Sequence, residues 1–192
     1  MARSDTALVL IDMQSDFLSP HGRVGQHYDQ TRLSAMDKTI DKVEELLAAC
    51  RGESHPWADA RIPCMHYSWD PTPLLLSAAN PWPFLAAAGL TIAHSRSHRY
   101  GAKVLPELLH PLDETYELHP RLRALPGEIV VDKFTFGAFA STELEKRLRE
   151  RGVTRILLGG VLTNVCVLAT AVQAVDRFFR VCLVEDACGA FT

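Results

Sequence analysis

Along this chain, short unbroken apolar runs alternate with longer stretches whose apolar residues fall at helical spacing. Ala7-Leu8-Val9-Leu10-Ile11 is one such run, closed by Asp12. Continuous runs suit strands covered on both faces. Thr31 to Cys50 carries Met36, Ile40, Val43, Leu46 and Leu47 on one side of a predicted helix. Leu90-Thr91-Ile92-Ala93 is the next strand candidate and leads into His94-Ser95-Arg96. Glu128-Ile129-Val130-Val131 follows and leads into Asp132-Lys133. Ser141 to Arg151 reads as a helix with Ser141 as N-cap, Leu144 and Leu148 inside and Gly152 as its stop. Arg155 to Leu158 reads as a strand, Asn164 to Arg177 as a helix, and Arg180 to Val184 as a strand ending at Glu185-Asp186.

Strands alternating with helices predict right-handed crossovers and a parallel sheet. The expected fold is α/β: a three-layer α/β/α sandwich with a mainly parallel, doubly wound sheet, forming one domain over 1–192. Such sheets bind ligands at the carboxyl ends of their strands. Asp12, His94, Lys133 and the loop from Gly160 to Cys166 should all emerge at that edge.

Residues 52–88 break the pattern. They hold Trp57, Trp69 and Trp82, six of the eleven prolines, and Arg61 as their only Lys or Arg. Helix-to-strand loops are usually about 2–6 residues long. Joining Arg51 to Ala87 or Ala88 would restore an ordinary helix–turn–strand, so the segment reads as an atypical insertion, expected to lie outside the main sheet. A lid or a homo-oligomer contact is one reading of the insert, and translated intron carried into the coding sequence is the other, since Gly52-Glu53-Ser54 can be encoded with a splice-donor-like hexamer. The chain also stops at Thr192, just past a strand and before the helix expected to cover it, which reads as a truncated C-terminus.

Composition narrows the partners. The 192 residues carry a formal net charge of −3 and are 47% hydrophobic. That balance suits one globular domain and points to neither nucleic acid nor an anionic membrane. Apolar runs are too short for a transmembrane helix. Met1-Ala2-Arg3-Ser4-Asp5 leads straight into the first strand, leaving no room for a signal peptide. Five cysteines without a framework spacing suit reduced thiols and a cytoplasmic setting.

One cysteine stands apart. Gly159-Gly160-Val161-Leu162-Thr163-Asn164-Val165-Cys166-Val167 places Cys166 where a buried strand hands over to a helix. Unpaired N–H groups of a first helical turn favour a thiolate and a developing oxyanion. Asp12 could take the thiol proton, and Lys133 could steady the ion pair. No Gly-x-Ser-x-Gly elbow and no Gly-rich phosphate loop is present.

Three motifs in this order resemble the isochorismatase-like cysteine hydrolase superfamily. They are Leu10-Ile11-Asp12-Met13-Gln14-Ser15-Asp16-Phe17-Leu18, then Val131-Asp132-Lys133 with Phe136-Gly137-Ala138-Phe139, then Gly160-Val161-Leu162-Thr163-Asn164-Val165-Cys166-Val167. The resemblance implies a catalytic triad of Asp12, Lys133 and Cys166. It implies a cis peptide at Val161–Leu162 and an oxyanion hole made by the N–H groups of Leu162 and Cys166. It implies amide chemistry through a thioester, with no cofactor. The nicotinamidase branch adds an Asp-x-His…His metal site, which this chain does not match, so no metal is expected. Ile92-Ala93-His94-Ser95-Arg96-Ser97-His98-Arg99 looks like the branch that acts on ureido compounds.

The expected partner is therefore a small amide or ureido substrate. Gln14, Phe17, Arg96, Phe136, Phe139 and Thr163 are the candidate substrate contacts. Against those roles stand a turn cap for Gln14, a surface ion pair for Arg96 and core packing for Phe136 and Phe139. His94 and His98 read as hydrogen-bonded loop residues. A nicotinamidase-like hydrolase and a non-catalytic family member remain the alternative functions. Substitution of any triad residue is expected to abolish turnover without a large loss of stability.

Overall fold

A computed structural model describes residues 5–52, 90–97 and 114–190, together with the backbone of 64–67. Its strands are β1 (Thr6–Ile11), β2 (Cys64–Tyr67), β3 (Thr91–Ser97), β4 (Ile129–Lys133), β5 (Arg155–Val161) and β6 (Arg180–Gly189). Its helices are α1 (Ser15–Leu18), α2 (Gln30–Arg51), α3 (Leu144–Arg149) and α4 (Leu168–Asp176). One sheet runs in the order β2-β6-β5-β1-β3-β4. All neighbours pair parallel except β2, which runs antiparallel to β6.

Alternation along β1 divides the core into two layers. Leu8 and Leu10 pack on one face with Met36, Ile40, Val43 and Leu47 of α2. Ala7, Val9 and Ile11 pack on the other with Leu144 and Leu148 of α3 and Ala171 and Ala174 of α4. The three-layer α/β/α sandwich read from the sequence is the fold. The direction of winding changes between β1 and β5, because β3 and β4 lie on one side of β1 and β5 and β6 on the other. The crevice at such a switch point is where open α/β sheets bind ligands.

Several boundaries differ from the sequence reading. β5 continues to Val161 and β6 to Gly189, with a register shift between Leu158 and Gly160. Gly159-Gly160 is thus a bulged strand rather than a loop. β3 runs to Ser97, so His94 is a buried strand residue and not a loop residue. The helix predicted from Ser141 begins at Leu144. Ser141 is not its cap, because its hydroxyl instead accepts the Phe134 N–H at 3.0 Å, while Thr142 Oγ1 accepts the Leu144 N–H at 3.0 Å.

The segment 52–88 does not lie wholly outside the sheet. Cys64–Tyr67 pairs with Val181–Val184 and covers the edge that β6 would otherwise present. The rest of that segment from residue 53 onward, and His98, fall outside the described residues. No described helix is long and apolar enough to cross a membrane.

A buried polar knot fastens α2 to the sheet. Arg51 closes the helix and donates to Glu128 through Nε at 2.8 Å and Nη2 at 3.1 Å. His94 Nε2 lies 2.7 Å from the same carboxylate. Burial pushes the Glu128 carboxyl up. Hydrogen bonds from His94, Arg51 and the Leu125 N–H outweigh that and hold it at about 2, against an ordinary 4.5. Because the folded value is depressed, the stabilisation is complete above about pH 4.5 and fades as pH falls towards 2. Glu128→Gln should therefore lose up to about 3 kcal/mol near neutral pH. Urea unfolding should show the gap between wild type and variant shrinking below about pH 4.5 and closing near pH 2, and a gap that does not depend on pH would contradict this account.

Candidate active site

Asp12 follows β1 directly and takes a left-handed backbone, φ 53°. Aspartate tolerates that region better than most residues. Its N–H donates to Ser95 O of β3 at 2.8 Å, so the chain leaves the sheet at a defined point. Lys133 ends β4, on the far side of β3. Its long side chain crosses β3 and places Nζ 2.9 Å from Asp12 Oδ2, with both side chains 0% exposed. Nζ also donates to Thr135 O at 3.2 Å.

The third strand end belongs to β5. Gly160 has φ 122°, and a Cβ there would sit 2.2 Å from Ile11 O. Only glycine lets β5 run this close to the end of β1. The Val161–Leu162 peptide is cis. A single π-helical turn, Thr163–Val167, then precedes α4. Leu162 O accepts the N–H groups of Val165 and Val167, both at 3.1 Å, which folds the turn back on itself.

Cys166 lies in this turn, 2% exposed, in the same apolar layer as Ile11, Val131, Ala138 and Val167. Thr170 links it to the lysine's loop. The Thr170 hydroxyl donates to Cys166 O at 2.7 Å and accepts the Ala138 N–H at 3.1 Å. Phe139 N–H adds a bond to Gln173 Oε1 at 3.1 Å. The loop after β4 and the helix after Cys166 are therefore fastened to each other. The Asp12–Lys133 pair and Cys166 sit at the carboxyl ends of β1, β4 and β5, around the switch point.

The six candidate contact residues divide. Gln14 is fully buried, and its amide is occupied: Oε1 accepts the Ser97 N–H at 2.6 Å and Nε2 donates to Tyr116 O at 2.7 Å. It is a fastener between the β1 loop, β3 and the segment around Tyr116. Phe17 is buried in the α2-side core. Phe139 is buried against Phe179, with ring centroids 5.7 Å apart. Arg96 holds Asp132 through Nε at 2.8 Å and Nη2 at 3.2 Å, and Glu117 through Nη1 at 2.8 Å. That ion-pair hub is the bland alternative to a substrate clamp, and it occupies the guanidinium. Phe136 is half-exposed. Thr163 lines an open groove of about 790 Å³ between the first half of α2 and the end of β6, together with Arg32, Thr39, Glu185 and Gly189.

The sequence reading passed over two residues here. Ser95 and Ser97 continue the face of β3 begun by Ala93, in register with Val131 and Lys133 of β4. They are 1% and 0% exposed, and neither hydroxyl has a hydrogen-bond partner among the described residues. A buried polar group left in that state costs about 1–3 kcal/mol. Their signal was a period of two: Ala93, Ser95 and Ser97 turn an apolar face polar at the strand's end.

Among the described residues, no three His, Cys, Asp or Glu side chains group as a metal site would require. Burial pushes the thiols of Cys50 and Cys188 up to about 12 in each case. Both are held as neutral thiols, inert at neutral pH.

The isochorismatase domain model matches residues 6–192. The ureidoacrylate amidohydrolase RutB of Variovorax paradoxus (strain S110) is 29% identical over 189 residues, covering 96% of this chain and 68% of that protein. The isochorismatase family protein YecD of Escherichia coli O157:H7 is 32% identical over 187 residues, covering 96% of this chain and 80% of its own length. Among solved structures, N-carbamoylsarcosine amidase from Thermoplasma acidophilum superposes with a TM-score of 0.65 at 22% identity, over 96% of this chain and 75% of that one.

Proposed function

The chain belongs to the isochorismatase family of hydrolases, and on that premise we propose that it cleaves a C–N bond of a small amide or ureido compound through a thioester on Cys166. The observation that carries this reading is the fully buried Asp12–Lys133 ion pair at the same sheet edge as the Cys166 turn. A buried charge pair is an expensive feature for stability alone. Beside a cysteine in a helix-initiating turn it has a use. The ureidoacrylate amidohydrolase among the relatives supports the amide and ureido class.

Asp12 accepts the Cys166 thiol proton as Sγ attacks the substrate carbonyl carbon. The tetrahedral oxygen is met by the backbone N–H groups of Leu162 and Cys166. The C–N bond then breaks, and the departing nitrogen takes its proton from Asp12. Water, deprotonated by Asp12, attacks the acyl carbon and returns the free thiol. Lys133 keeps Asp12 placed throughout, favours its carboxylate form between proton transfers, and holds positive charge near the thiolate. No metal or cofactor enters this scheme. The substrate and any second copy of the chain belong to the same proposal: a small molecule is the partner, with neither nucleic acid nor membrane needed.

The test is an ammonia-release screen over a panel of small amides and ureas, followed by acid quenching during turnover and weighing of the tryptic peptides. An acyl adduct on the peptide that holds Cys166 is expected. An active preparation with no adduct there would overturn the mechanism.

A further inference from the structure

Both ends of the triad's ion pair bracket β3, and β3 offers two hydroxyls at that place. Ile11, which precedes Asp12, is in register with Ser95, and Lys133 is in register with Ser97. Residues in register share a face of the sheet. Ser95 and Ser97 therefore form the floor beneath the line along which the Lys133 stem reaches Asp12. Both hydroxyls are buried, and both lack a hydrogen-bond partner among the described residues. Buried hydroxyls are ordinarily satisfied. Two adjacent exceptions beside a buried ion pair call for an occupant that supplies what they lack.

Resting on the amidohydrolase reading above, we propose that Ser95 and Ser97 are substrate-contacting residues that accept hydrogen bonds from the leaving nitrogen of the amide or urea. The departing nitrogen must lie within reach of Asp12 to collect its proton. Asp12 ends β1, the strand between β5 and β3, so a nitrogen approaching it from the Cys166 side comes towards the edge of β3 where Ser95 and Ser97 lie beside the Lys133 stem. The Lys133 ammonium has protons and no lone pair, so it cannot receive an N–H. The serine oxygens can. Holding the N–H bonds orients the nitrogen lone pair towards the Asp12 proton, an interaction that tightens as the nitrogen becomes tetrahedral. An ester offers no N–H to this floor, so the serines select amides over esters.

The experiment compares wild type, Ser97→Ala and Ser95→Ala/Ser97→Ala on two probes. One is the amide or urea hydrolysed fastest in the screen. The other is p-nitrophenyl acetate, whose leaving oxygen carries no hydrogen. The double variant should lose about 10- to 100-fold in kcat/KM on the amide, mainly in kcat, and change less than about twofold on the ester. Its urea midpoint should equal or exceed that of wild type, because an unsatisfied buried hydroxyl has been removed. Equal losses on both probes, or no loss on either, would overturn the proposal, as would a lowered urea midpoint that accounts for the loss. A wild type that acylates Cys166 from the ester but hydrolyses no amide in the panel overturns the amidohydrolase reading itself, and the selection of amides falls with it.

Discussion

Replacing Lys133 with Met is expected to cost about 3–5 kcal/mol of folding stability as well as all turnover. The sequence suggested a substitution that spares the fold, since a lysine at a strand end is commonly solvated. The structure revises that expectation. Lys133 and Asp12 are both fully buried and 2.9 Å apart. Removing the ammonium while keeping an apolar stem of similar length leaves the Asp12 carboxylate in a dry site with its counter-charge gone. Asp12→Asn should cost a comparable amount, because it strands the ammonium instead. The double variant Asp12→Asn/Lys133→Met buries no charge. It should be clearly more stable than the sum of the single losses predicts, yet stay inactive. Urea unfolding of the four proteins measures the coupling. A Lys133→Met loss below about 1 kcal/mol, with additive effects in the double variant, would mean that solvent reaches the pair and that its burial does not tune the site.

How far this was legible in the sequence depends on the range of each interaction. β1 and α2 stand out because their signals are local: an unbroken apolar run, and five apolar residues at helical spacing. β5 runs past its predicted end because Gly160, a residue type that usually ends strands, is where it bulges against the end of β1, and β6 runs past Val184 because the Glu185-Asp186 pair is exposed within the strand rather than ending it. β2 was missed because a four-residue edge strand in a proline-rich stretch has no period of its own, and its partner β6 lies near the other end of the chain. Gln14 reads from the sequence as a candidate substrate contact. Its partners are Ser97 and Tyr116, 83 and 102 residues away, and no local pattern could announce them. Asp12, Lys133 and Cys166 were legible as a set through their motifs. Burial of the ion pair was not, because it depends on which strands lie between, and strand order is a property of the whole sheet.

Cys166→Ala is expected to lower kcat/KM by about 10⁴-fold or more on every substrate, with little change in unfolding. In the proposed mechanism this substitution removes the nucleophile and the covalent route, leaving only catalysis by the oxyanion donors and binding. The fold should tolerate the change. Cys166 contributes one small side chain to a layer also built from Ile11, Val131, Ala138, Phe139 and Val167, and its backbone carbonyl keeps the Thr170 bond that ties the turn to α4. The same substitution should remove the iodoacetamide label from the Cys166 peptide at neutral pH, while Cys50 and Cys188 stay unlabelled in both proteins because burial holds their thiols up at about 12. Adding Asp12→Asn to Cys166→Ala should cost almost nothing further in rate, since proton transfer to Asp12 has no meaning without the thiol. Multiplicative losses in that pair would show the two residues acting independently. A Cys166→Ala protein that retains its rate would move the chemistry to another group altogether.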